Sequence, residues 1–78
     1  MRTLSRLFAE NAIEIRGGSA RCVKGKVVGR LLNEISSLAS ANDIKEGEIW
    51  IDPAGKVSFS REIPETIHQR IRNVIFSG

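Results

Sequence analysis

The residues best equipped for chemistry lie in the last third of this sequence. Gln69, Arg70, Arg72 and Asn73 fall close together, and Arg61 precedes them. Guanidinium groups offer forked donors that fit phosphate or carboxylate, and Gln and Asn amides can bond two atoms at once. The pattern points to binding. Its plain competitor is a solvated helix face whose arginines pair with Glu62 or Glu65. Trp50 is a second candidate. An aromatic on a sheet surface can stack a base, fill a contact between protein copies, or lie covered by the N-terminal arm. Base-stacking sheets usually present two or three aromatics, and here there is one.

Other chemistries fail for lack of parts. His68 is the only histidine and Cys22 the only cysteine, which excludes an internal disulfide and a four-ligand Cys/His metal site. His68 has no Asp or Ser partner at short spacing. Glu62 and Glu65 precede a helix, where carboxylates commonly favour the helix dipole rather than act as an acid–base pair. Lys24-Gly25-Lys26-Val27-Val28-Gly29 resembles a phosphate loop only superficially, because the Gly-Lys-Ser/Thr ending is missing. The expectation is a protein that is no enzyme and has no cofactor and no metal. A small hydrolase or transferase would require a deep polar pocket around His68.

Seventy-eight residues, 41% hydrophobic and 27% charged, make one small globular domain. Twelve Lys and Arg against nine Asp and Glu leave a net charge of +3, which permits nucleic-acid contact without requiring it. The basic residues are scattered. No apolar run approaches the ~20 residues of a membrane helix, and Leu4, Leu7 and Phe8 are too interrupted for a signal peptide. A staple-free chain of this size suits a reducing compartment, so the cytoplasm is expected.

Elements follow from periodicity. Leu4, Leu7 and Phe8 predict a short helical arm in residues 1–11, ending near Asn11 and covering an edge of the core, with a membrane-surface anchor as the alternative, too short to bind other than weakly. The domain proper spans 12–78. Ala12–Arg16 and Ala20–Val23 alternate as strands around a Gly17-Gly18 hairpin turn, with Ile13, Ile15, Ala20 and Cys22 inward. Apolar positions 27, 28, 31, 32, 35, 38 and 39 predict a helix from Val27 to about Ala41, closed by Asn42-Asp43. Glu48–Asp52 and Lys56–Ser60 form a second hairpin through Asp52-Pro53-Ala54-Gly55. Ile49, Ile51, Val57 and Phe59 point inward there, and Trp50, Ser58 and Ser60 outward. A second helix starts at Pro64, or slightly later at a Thr66–Gln69 capping box, and buries Ile67, Ile71 and Val74.

The two halves match. Ile13, Ile15, Val27, Leu31, Ile35 and Leu38 recur 36 residues later as Ile49, Ile51, Ile63, Ile67, Ile71 and Val74. This predicts an α+β fold of order ββαββα, with a four-stranded antiparallel sheet and both helices on one face. It would be either a permuted ferredoxin-like sandwich or a tandem ββα repeat. The other face, with Glu14, Arg16, Arg21, Val23, Trp50, Lys56 and Ser58, is expected to meet water.

The run Val57-Ser58-Phe59-Ser60…Ile63-Pro64…Gln69-Arg70-Ile71-Arg72-Asn73-Val74 resembles the C-terminal signature of DUF3634, a family of small bacterial proteins of unknown function. Gly18…Val23-Lys24-Gly25 and Gly47–Ile51 fit the same pattern more loosely. The resemblance implies a bacterial source and no activity. Relatives in that family often begin with a membrane helix and have a proline near Val28; neither stands in this sequence, so the resemblance does not imply membrane attachment.

Two functional expectations result. One is a binding or interaction module with an unknown protein partner, or self-associating through the open sheet face around Trp50. The other is a nucleic-acid-binding domain using Arg61, Gln69, Arg70, Arg72 and Asn73, joined by Lys24, Lys26 and Trp50. Convergence of these cations on one face would separate the two.

Overall fold

Gly17 and Gly18 take φ of 61° and 80°, open to residues without a Cβ, and so turn β1 (Asn11–Arg16) back along β2 (Ser19–Lys24). The computed structural model describes residues 6–77. Helix α1 spans Gly29–Ala41, β3 Glu46–Ile51, β4 Val57–Phe59, and α2 His68–Ser77 after a 3₁₀ turn at Glu65–Ile67. The expected α+β order is therefore present. All strand pairs are antiparallel, in the order β2-β1-β3-β4.

That order has a simple origin in the repeat. Ile13 pairs with Ile49 across the β1–β3 seam, and these two residues are themselves 36 positions apart. Two ββα units thus meet about an approximate twofold through this pair, with the first strand of each hairpin at the centre. Ile35 of α1 and Ile71 of α2, again 36 apart, are both buried over the same sheet face. Ile13, Ile15, Ile44, Ile49, Val57, Ile63 and Ile67 complete the core.

Helix boundaries shift slightly from expectation for local reasons. Val28 is extended (φ −66°, ψ 147°), so α1 begins at Gly29 and not at Val27. Asn42-Asp43 does close it. Asp43 adopts φ 56°, the Asp43 amide donates to Ser40 O (3.3 Å) and the Ile44 amide to Ala39 O (2.8 Å). This is a paired bonding pattern that satisfies the last carbonyls and turns Ile44 into the core. Thr66 caps nothing; the 3₁₀ turn after Pro64 leads into α2 instead. On the β2 edge, Ser36 of α1 accepts the Ala20 amide at 2.8 Å and so blocks pairing at that residue.

The second sheet face departs from the open surface expected there and follows the alternative in which the arm covers Trp50; Ser60, expected outward, is buried and accepts the Glu48 amide at 2.9 Å. That face is not open around Trp50. Residues 6–8 are helical and the chain then crosses this face, placing Ala9 against Ala12, Trp50 and Val23. The arm touches the sheet through Ala9, whereas Leu7 and Phe8 point outward, 65% and 77% exposed. Leu4 lies outside the described residues. Asn11 belongs to β1 and does not end the helix; its Oδ1 accepts the Lys26 amide at 3.0 Å.

Gly25 makes that crossing feasible. Its φ is 75°, and a Cβ there would stand 2.5 Å from the Glu10 carbonyl oxygen. Gly25→Ala meets both strain and a backbone clash, and should cost at least about 2 kcal/mol of unfolding free energy by urea titration. A loss below about 0.5 kcal/mol would show that the arm does not pass there.

Candidate functional site

Helix α2 is anchored by Ile67 and Ile71, both buried, and by Ile75, partly so. At about 100° per residue, this fixes where each polar side chain stands. Arg70 and Arg72, two positions apart, are about 200° apart around the axis and leave on opposite flanks. Gln69, Asn73 and Phe76 share the outer face.

The Arg72 flank packs on β4. The His68 and Phe59 rings stack with centroids 3.9 Å apart and an interplanar angle of 14°. The Arg72 Cζ lies over Phe59, 5.2 Å from its centroid. His68 Nε2 donates to the Ile63 carbonyl at 2.9 Å, since that oxygen can only accept. The imidazole is thereby pinned between a ring and a backbone oxygen. Arg72 rests on an aromatic ring, a cation–π contact that fixes the guanidinium without spending its hydrogen bonds.

On the outer face, Gln69 Nε2 donates to Asn73 Oδ1 at 2.9 Å. The two amides so brace each other, and one turn further Phe76 stands 63% exposed. Arg61, in the turn after β4, and Arg70 are exposed and form no ion pair with another described residue. The structure therefore gathers Gln69, Arg70, Arg72 and Asn73 on one helix but around its circumference.

The remaining candidates lie elsewhere. Lys24 Nζ donates to the Arg6 (2.9 Å) and Leu7 (3.0 Å) carbonyls, closing the end of the helical arm on the opposite sheet face. It does not join the α2 cations. Trp50 is 8% exposed beneath Ala9, so no open indole face is presented for stacking. Its Nε1 is buried and has no hydrogen-bond partner among the described residues.

Two residues of this second face were missed by the sequence reading, Arg6 and Glu48. Arg6 Nε and Nη2 bond Glu48 Oε1 at 2.9 and 2.7 Å, and Nη2 also reaches Oε2 at 2.7 Å. The Glu48 side chain has no solvent exposure. The bond to Glu48 holds the Arg6 pKa above its ordinary value, against a smaller opposing effect of burial. Across the seam Glu48 faces Glu14, which is paired separately to Arg21 at 3.0 Å and Arg16 at 3.8 Å. Two carboxylates opposite each other repel unless each has its own cation. A carboxylate in strand parity with Trp50 was a readable signal that a cation had to cover that face.

The family model described as "Protein of unknown function (DUF3634)" matches residues 4–77. The chain belongs to this family. No curated protein and no solved structure matches it. DUF3634 carries no described activity, so the reading of this member rests on its own geometry. Among the described residues no group of three or more His, Cys, Asp and Glu is arranged to hold a metal ion. No helix of the described residues is long and apolar enough to cross a membrane.

Removing Arg6 strands a buried carboxylate. Arg6→Ala should destabilise the fold by about 3 kcal/mol, the low end for a broken buried pair because the Arg6 side chain is 41% exposed. Arg6→Ala combined with Glu48→Gln should recover a clear part of that loss in urea titrations. Equal loss in single and double variants would show that the ion pair itself is not the cause.

Proposed function

We propose that the chain is a non-enzymatic protein-interaction module that docks its partner on the outer face of α2. The observation that carries this reading is Phe76, 63% exposed in line with the braced Gln69–Asn73 pair and between the Arg70 and Arg72 flanks. An aromatic flanked by arginines is the composition enriched at protein interfaces. The flanking cations favour a partner surface with an apolar hollow rimmed by carboxylates. Two copies of this face would oppose arginine to arginine, which disfavours self-association there. Self-association through Trp50 loses its surface to the arm.

Two observations support the non-enzymatic part. His68, the one side chain suited to proton transfer near neutral pH, is stacked on Phe59 and bonded to a backbone oxygen. The cluster offers it no acid, base or nucleophile.

A nucleic-acid-binding role is the second reading, favoured by Arg61 and Arg70, which have no ion pair among the described residues. Against it stand the divergence of Arg70 from Arg72 and the engagement of Lys24 on the far face.

A photo-reactive phenylalanine placed at Asn73 and, separately, at Glu34 of α1 separates the cases in cells. The reading predicts a discrete protein adduct from position 73, lost in Phe76→Ser, and none from position 34. Amide shifts with mixed-sequence DNA and RNA should be absent even at low salt. Salt-sensitive shifts at Arg61 and Arg70, with no protein adduct at position 73, would replace this reading by the nucleic-acid one.

A further inference from the structure

The β3–β4 hairpin carries a second, unassigned feature on the sheet face away from α2. Beside the arm lies a hollow of about 270 Å³, lined by Phe8, Ala9, Trp50, Asp52, Lys56 and Ser58. It is assembled by register. Trp50 pairs with Ser58, and the Asp52 amide bonds the Lys56 carbonyl at 3.0 Å, so all four side chains emerge on one side of two adjacent strands. The arm adds Phe8 and Ala9 as a wall.

The polar groups there are of three kinds and are available. Asp52 Oδ1 accepts the Ala54 (3.0 Å) and Lys56 (2.8 Å) amides, which holds the carboxylate rigid, and Oδ2 has no partner among the described residues. Lys56, exposed, and Asp52 form no ion pair with each other or with any other described residue. Ser58 is exposed, and its hydroxyl has no partner among the described residues. An anchored carboxylate, a free ammonium and a hydroxyl therefore share one rim with two aromatic side chains.

We propose that this hollow binds a zwitterionic α-amino acid with an apolar side chain. The Lys56 ammonium and Ser58 hydroxyl take the ligand's carboxylate, Asp52 Oδ2 takes its ammonium, and the ligand's side chain lies against Phe8 and the small exposed edge of Trp50. A ligand with one charge alone leaves either Lys56 or Asp52 unmatched while displacing its water, which discriminates against simple acids and amines. The site is separate from the α2 surface and stands without it.

The test is an amide and indole NMR titration of the folded chain with L-phenylalanine and L-leucine, against N-acetyl-L-phenylalanine and L-phenylalaninamide. Trp50 is the single tryptophan, so its indole N–H is an unambiguous reporter. Saturable shifts at Trp50 and Ser58 are expected for the free amino acids, with Kd on the order of 1 mM for so shallow a site. The acetylated and amidated analogues, and the Lys56→Met and Asp52→Asn variants, should each bind at least about tenfold more weakly. Asn at position 52 keeps the Oδ1 acceptor, so the turn survives the loss of charge. The proposal is overturned by no saturable shift up to about 20 mM, by equal response to all four compounds, or by shifts mapped away from the hairpin.

Discussion

The Glu48 carboxylate sits where water cannot reach it, and much of the molecule's outer form follows from that. Arg6 has to come to it, and in coming brings the N-terminal arm across the second sheet face. Lys24 closes the end of the arm's helical turn, Ala9 seals Trp50, and Gly25 leaves room for the crossing. A buried ion pair contributes little net stability against an apolar alternative, because desolvation offsets most of the attraction. What it does supply is placement. The isoleucine core, at about 2–5 kcal/mol for each truncation to alanine, holds the fold; the Arg6–Glu48 pair decides which face remains exposed.

Local rules were enough to read much of the architecture. Alternation at Ile13, Ile15, Ile49 and Val57, the period of α1, and the glycine and proline turns all report interactions among near neighbours in sequence. The 36-residue repeat went further than element order, since its two copies meet at the Ile13–Ile49 pair. What alternation gives is a side of the sheet, not what lies over that side. Trp50 was rightly placed away from the core, yet the cover comes from residues about 40 positions earlier. Leu7 and Phe8 are the bulkier apolar residues, but Arg6 fixes the rotation of the arm and small Ala9 makes the contact.

The candidate site was legible in composition and illegible in direction. Gln69-Arg70-Ile71-Arg72-Asn73 reads as one basic cluster along the chain, whereas a helix anchored at Ile71 sends its arginines to opposite flanks. Phe76, unremarked in the sequence, becomes the centre of the outer face because Ile67, Ile71 and Ile75 occupy the inner one. The aromatic support of Arg72 by Phe59 and His68 joins residues whose spacing carries no signature.

The central claim is that the arm covers Trp50 on the second sheet face. Iodide quenching of the single tryptophan's fluorescence tests it most directly. The account predicts blue-shifted emission from Trp50 and a quenching constant several-fold below that of free tryptophan, rising in Arg6→Ala. Emission and quenching like those of free tryptophan in the unaltered chain would mean that the face is open, and would contradict the account.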